Sequence, residues 1–239
     1  MIKKSIVSFL CSFLSGGCLL VICSAQLFAQ TQPAAVPVEQ EPHHRIVFEN
    51  KKVRIYDALI PPGEATLFHT HVFDSVSVTV NGGQARNEIV GKPVREYTQA
   101  AGTVTFSRAT GAPYTHRITN LGTTPLRFVV PEILSLPASP GAPSALDAVP
   151  GHQFVLENDS VEVYRISVDP GQSTGARSRT LPWVRISLSQ SAVSVRGQGR
   201  ATETLDTKPG DYRWYEGPGI DTVENVGPVR YEAIEIEFR

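Results

Sequence analysis

The chain keeps all of its cysteine in a segment it is expected to lose. Cys11, Cys18 and Cys23 are the only three, and all fall within the first 29 of 239 residues. That stretch reads as a secretory leader. Lys3 and Lys4 open it, an apolar run over 6–25 follows, and small residues at Ala25 and Ala29 offer cleavage sites. A membrane anchor is the competing reading, but Gly16-Gly17, Ser12 and Ser15 interrupt the run and no polar stop-transfer pattern follows it. Cleavage after Ala29 or Ala25 sends the protein to the periplasm or the exterior and leaves it without a thiol. Disulfides, thiolate metal ligands and a cysteine nucleophile are then excluded.

Excess charge is absent too. The full chain carries 22 basic and 23 acidic residues, and removing the leader takes two lysines and no acid, moving the formal charge from −1 to −3. Nothing here suits nucleic acid as a partner, and no membrane association is expected once the leader is gone. The third absence is a helical period. Short β-branched runs such as Ile46-Val47-Phe48 and Val53-Arg54-Ile55-Tyr56 are punctuated by proline and glycine, and no stretch carries apolar residues every 3.6 positions. The expected fold class is all-β.

What is present is a repeat. Phe48-Glu49-Asn50 recurs as Leu156-Glu157-Asn158, Tyr56 as Tyr164, Pro62-Gly63 as Pro170-Gly171 and Gly102 as Gly210, every pair 108 residues apart. Asn120-Leu121-Gly122 matches Asn225-Val226-Gly227 at 105, so the second copy lacks three residues shortly before that point. Residues 30–42 are polar and proline-broken and are expected to be disordered. Residues 135–150 are rich in Pro, Ala and Ser and read as a linker. The expected organisation is a leader (1–29), a disordered lead (30–42), one β domain over 43–134, the linker (135–150) and a second β domain over 151–239.

The repeat also sorts the histidines. His44 aligns with His152 and reads as an ordinary repeat position, structural rather than chemical. His69 and His71 align with Arg177 and Arg179, so the copies differ there. In Phe68-His69-Thr70-His71-Val72-Phe73-Asp74 the two histidines alternate along a strand. They share one face, roughly 7 Å apart at ~3.3 Å per residue, which is half of a metal site. His116 is the candidate third ligand.

Gly63, then His69-Thr70-His71, then a strand closing on Gly83, followed by Gly102 and His116-Arg117-Ile118-Thr119-Asn120, resembles the two motifs of the cupin superfamily. The resemblance covers the mature chain after His43. It implies two tandem jelly-roll β-barrels, a bicupin whose second copy is degenerate. It also implies a divalent metal, Fe2+, Zn2+, Mn2+ or Ni2+, held by His69, His71 and His116 inside the first barrel. A glutamate is the family's usual fourth ligand, but here its position falls at Ser75 or Val76. Asp74 is the nearest carboxylate: a ligand, a group orienting a ligand, or a turn residue. Val76, Val78 and Val80 are expected to point into the barrel, with Ser75, Ser77 and Thr79 outward.

Two further residues are candidates for chemistry. Tyr114, in phase with His116, is either a proton donor or a packing residue with a wet hydroxyl. Arg108 is either a clamp for a substrate carboxylate or a solvated loop charge. In the second copy Arg177 and Arg179, with Asp221 at the place of His116, form a buried ion cluster or receive an anion. The leading functional expectation is a metal-dependent enzyme, dioxygenase-like, or otherwise an isomerase or lyase, acting on a small molecule. The alternative is a non-catalytic cupin that binds a small ligand or has a structural role. Beyond a small-molecule ligand or substrate, a homodimer is the expected assembly.

Overall fold

The computed structural model describes residues 34–135, 149–199 and 201–239. The expected leader and most of the expected linker (136–148) lie outside the described residues. The first half folds as β1 (Val36–Pro37), a 3-10 turn (Val38–Gln40), β2 (His44–Glu49), β3 (Val53–Ile60), β4 (His69–His71), β5 (Ser75–Asn81), β6 (Gly83–Ile89), β7 (Arg95–Gln99), β8 (Val104–Ser107), β9 (Tyr114–Asn120) and β10 (Leu126–Ile133). The second half folds as β11 (His152–Glu157), β12 (Val161–Val168), β13 (Arg177–Arg179), β14 (Trp183–Ser187), β15 (Ser191–Gly197), β16 (Glu203–Thr207), β17 (Tyr212–Tyr215), β18 (Gly219–Asn225) and β19 (Tyr231–Phe238). Among the described residues no α-helix forms.

Each half closes two sheets on one another. In the first the orders are β1-β4-β9-β6-β7 and β2-β3-β10-β5-β8, and in the second β13-β18-β15-β16 and β11-β12-β19-β14-β17. Strands β11 to β17 each begin 108 residues after β2 to β8, and β18 and β19 begin 105 after β9 and β10. The three missing residues come out of one connection, 108–113 between β8 and β9 against 216–218 between β17 and β18.

The repeated motifs mark repeated turns. The Asn50 carboxamide oxygen accepts the N–H of Lys52 and Val53 at 2.8 and 2.9 Å, and that of Asn158 accepts Ser160 and Val161 at 2.8 and 3.1 Å. Each asparagine closes its hairpin through its own side chain. Asn120 donates to the carbonyls of Ile60 and Thr124 and accepts the N–H of Gly122, and Asn225 does the same with Val168, Val229 and Gly227.

Strand alternation gives every central strand two different environments. In β5, Val76, Val78 and Val80 join Val53, Ile55, Val129 and Ile133 in a core whose other wall is Val161, Val163, Val184, Ile186, Ile234, Ile236 and Phe238. These residues come from both halves, so the cluster is the seam between the two barrels. The valines of β5 therefore face the neighbouring barrel, and Ser75 and Ser77 face the interior, the reverse of the expectation. Burial of a valine row is the same signal whether a barrel is filled or two barrels meet.

Polar contacts frame the seam. The Tyr212 hydroxyl donates to the carbonyl of Val47 at 2.7 Å, Arg165 donates to that of Gly102 at 2.6 Å and Arg127 to that of Pro209 at 2.9 Å. Gly102 and Gly210 have φ of +77° and +88°, and a Cβ on either would lie within 3 Å of the arginine from the other barrel. The left-handed turn requires glycine there; the arginine end could shift to make room for a Cβ.

The expected disordered lead is instead built into the first barrel from Val36 onward. β1 pairs in parallel with β4, Val36 beside His69 and Pro37 beside Thr70. Val38 and Glu41 are buried. A polar, proline-rich composition hides this because the segment is held by one strand edge and one buried carboxylate rather than by a run of apolar side chains.

Candidate metal centre

The β4–β9 register assembles the site. His69 lies opposite His116, Thr70 opposite Thr115 and His71 opposite Tyr114. The two threonine hydroxyls bond each other at 2.8 Å, pinning that register from outside. Inside, the His69 and His116 rings are 4.4 Å apart, His69 and His71 5.0 Å, and His71 and His116 5.2 Å. All three sequence-predicted histidines thus meet in the barrel.

Hydrogen bonds set the tautomers of two of them. His69 Nδ1 faces the Leu67 carbonyl at 2.9 Å and His116 Nδ1 faces the Asn87 carboxamide oxygen at 3.2 Å. Both partners can only accept, so each Nδ1 carries the proton and each Nε2 keeps its lone pair. His69 Nε2, His116 Nε2 and His71 Nδ1 are buried without a hydrogen-bond partner. Burial, with the neighbouring imidazoles, pushes His69 down to about 4, His71 to about 3 and His116 well below the usual histidine range. At neutral pH the rings are uncharged, the form in which imidazole binds a metal.

The structure adds a histidine that sequence reasoning set aside. His44, from β2, packs its ring 4.6 Å from His69 and 6.2 Å from His71. Ligand atoms of His44, His69 and His71 all lie within 4.8 Å of one another. The signal against His44 was its match with His152, and that match misled because both residues point into their barrels. His152 Nε2 lies 3.5 Å from Glu235, in the interior of the second barrel. Four imidazoles with three orphaned nitrogens fit a divalent first-row cation.

Asp74 is not in this group. Its Oδ1 accepts the backbone N–H of Ala109 and Thr110 at 2.8 Å each, and its own N–H donates to the Thr110 hydroxyl at 3.1 Å. The strand stops at His71 and restarts at Ser75, so alternation does not carry through Val72–Phe73–Asp74. The carboxylate braces the β8–β9 loop instead. Arg108 leaves the site altogether. Its exposed guanidinium pairs with Asp159 of the β11–β12 turn at 2.7 Å, a clamp between barrels rather than on a substrate. Tyr114 is in place, its ring stacked on His71 at 5.1 Å and 22°. Burial raises its phenol above the ordinary range, so the hydroxyl keeps its proton.

A cavity of about 140 Å³ opens beside the histidines. His44, His71, His116 and Tyr114 line it together with Ser75, Ser77, Asn87 and Gln99 and the apolar Ile60, Ile118, Phe128 and Val130. Below it, outside the lining, Tyr56 and Arg54 both donate to Glu132 at 3.3 Å, and burial pushes that carboxyl up to about 7 against the pull of Arg54.

Among the described residues the second barrel has no such site. At the matching positions Arg177 donates to Glu235 and Glu237 at 3.2 and 2.9 Å, and Arg179 to Asp221 and Glu235. Arg185 donates to Glu235 and Asp221 at 2.8 and 2.5 Å. Three buried guanidiniums and three carboxylates balance internally, which favours the ion cluster over an anion site. Trp183 fills the remaining space, stacked on Tyr215 at 4.6 Å. Trp214 packs against the seam.

This is the cupin fold in its two-barrel form. It is similar to that of AerE from Microcystis aeruginosa (TM-score 0.63, 14% identity, covering 87% of this chain and 98% of that one). It is also similar to a cupin 2 conserved barrel domain protein from Leptotrichia buccalis (0.52, 11%, 82% and 88%) and to a salicylate 1,2-dioxygenase from Pseudaminobacter salicylatoxidans (0.56, 11%, 78% and 71%). No family model matches the sequence, and no curated protein matches it.

Proposed function

We propose that this protein is exported and that its first barrel holds one divalent metal on His69, His71 and His116, used on a small molecule in a dioxygenase-like reaction. The observation that carries the reading is the set of three buried, partnerless ring nitrogens. Leaving a buried polar atom unsatisfied costs about 1–3 kcal/mol each, and one cation answers all three at once.

When bound, such a metal supplies Lewis acidity and, if redox-active, one-electron chemistry. The chain's own residues do the rest. Ile118, Phe128 and Val130 exclude water from one wall, and Ser75, Ser77 and Gln99 offer hydrogen bonds to polar substituents. Tyr114 holds a proton beside His71 and donates it to a substrate oxygen. The lining carries no carboxylate, lysine or arginine. Isomerase and lyase chemistry that needs a protein base is therefore the weaker alternative. An engineered cavity of about 150 Å³ holds benzene, so one small ring or a short acid suits this space. A salicylate 1,2-dioxygenase among the fold neighbours has been solved as adducts with gentisate, a single-ring ligand.

Elemental analysis of the purified mature protein, joined to oxygen uptake with small hydroxylated aromatic acids, tests the reading. We expect about one metal per chain, lost in His69→Ala/His71→Ala, and uptake that a chelator stops. Two metals per chain, or metal retained by the double variant, would overturn it. The same lack of a lining base also suits a non-catalytic binder, and tight ligand binding by metal-loaded protein without uptake would establish that instead. The native N-terminus is expected at Gln26 or Gln30, and an intact Met1 would refute export.

A further inference from the structure

We infer that the centre has a fourth ligand, His44 through Nε2, and that Glu41 from the N-terminal lead is the residue that positions it. This rests on the metal reading above and deepens it.

Glu41 is buried, and four donors converge on its two oxygens. Oε1 accepts the backbone N–H of Leu67 and His43 Nδ1, both at 3.1 Å, and Oε2 accepts the backbone N–H of His43 at 2.9 Å and His44 Nδ1 at 2.6 Å. Two of these donors are main-chain amides, so the group acts as an accepting carboxylate, and His44 must carry its proton on Nδ1. That leaves the Nε2 lone pair free, in a ring one of whose nitrogens lies within 4.8 Å of ligand atoms of His69 and His71. A carboxylate behind an imidazole fixes its tautomer and orientation and raises its basicity, an arrangement found behind many metal-bound histidines.

The second barrel supplies an internal control. His152 occupies the position of His44, its side chain is buried as well, and its Nε2 lies 3.5 Å from Glu235, which also bonds Arg177 and Arg179. This strand position aims at the barrel centre in both copies. The carboxylate does not recur. The residue 108 after Glu41 is Val149, and His152 Nδ1 bonds the Pro150 carbonyl instead, at 3.3 Å. Only the barrel that keeps its histidines has the group that would hold a fourth one as a ligand. Four neutral imidazoles then replace the three-histidine, one-carboxylate set, with the negative charge moved out behind a ring.

X-ray absorption spectroscopy on the zinc- or cobalt-loaded protein counts the imidazoles directly and needs no variant. Four are expected in the wild type and three in His44→Ala, with the visible bands of the cobalt form changing accordingly. Glu41→Gln should keep four while lowering metal affinity 10–100-fold in a chelator competition. Three imidazoles in the wild type, or an unchanged count in His44→Ala, would overturn the inference and leave the three-histidine reading standing. Unaltered affinity in Glu41→Gln would remove the positioning role. A wild-type protein that takes up no zinc or cobalt would overturn both readings together.

Discussion

Replacing Asp74 by alanine separates bracing from ligation. Its Oδ1 holds two backbone N–H groups, and the two have different fates when the carboxylate goes. Ala109 is fully buried, so its N–H finds no water, whereas Thr110 is exposed and recovers most of what it loses. A hydrogen bond to a charged group contributes about 1.5–3 kcal/mol, and a buried orphan costs about the same. One bond lost outright and one in part gives an expected destabilisation of about 2–4 kcal/mol. Asp74→Asn keeps an oxygen in place without its charge and should cost about 1 kcal/mol. Urea unfolding of the metal-free protein, followed by far-ultraviolet circular dichroism, measures both. Metal content should stay near one per chain in either variant. Metal lost from Asp74→Ala with unfolding free energy unchanged would show that the carboxylate serves the ion after all and refute the bracing argument.

Other outcomes follow from the same geometry. The metal-free protein should lose stability as pH falls from about 6.5 toward 4. His69 and His71 stay neutral in the folded state down to about 4 and 3 while the unfolded chain takes up protons near 6.5. Each histidine then contributes up to about 1.4 kcal/mol per pH unit in that window. Glu132, held protonated up to about 7 when folded, works in the opposite direction above its unfolded value. The slope of unfolding free energy against pH should be shallower in His69→Ala/His71→Ala, and equal slopes would contradict the burial argument. Glu235→Gln removes the carboxylate that Arg177, Arg179 and Arg185 share, and should destabilise the protein by about 3–5 kcal/mol without altering metal content. A loss under about 1 kcal/mol would mean the guanidiniums are solvated or otherwise paired. Tyr114→Phe should retain the metal and lower turnover, since it deletes only the hydroxyl, and unchanged turnover would return the residue to packing.

The sequence was informative where chemistry repeats and ambiguous where it does not. The 108- and 105-residue spacings located the strands of both halves because hairpin asparagines and turn glycines do the same work twice. His69, His71 and His116 were visible because they break that repeat. His44 was not, since a repeat-matched histidine looks structural until the two barrel interiors are compared. The phase of Val76, Val78 and Val80 came out reversed because a second barrel covers the outer face, and apolar alternation names two faces without saying which is inside. Asp74 and Arg108 were adjacent to the motifs in sequence, but the break between β4 and β5 made Asp74 a brace and the β8–β9 loop carries Arg108 toward the neighbouring barrel. Glu41 offered no periodic signal, being a single buried acid in a polar lead.

The seam between the barrels bears on how a duplicated protein can change. Position by position, its wall is much the same in both copies: Val53 and Val161, Ile55 and Val163, Val76 and Val184, Val78 and Ile186, Val129 and Ile234, Ile133 and Phe238. One residue away along the same strands several pairs are unalike (Ser75 and Trp183, Ser77 and Arg185, Val130 and Glu235), while Tyr56 and Tyr164, and Glu132 and Glu237, still match. Because successive side chains of a strand point to opposite sides, the face that holds the partner and the face that holds the chemistry are written in interleaved letters. Either text can be rewritten without disturbing the other. The second barrel holds Arg177, Arg179 and Asp221 where the first has histidines and keeps the same seam, so a new ligand pocket could be introduced into it through the inward residues of β13, β14, β18 and β19 together.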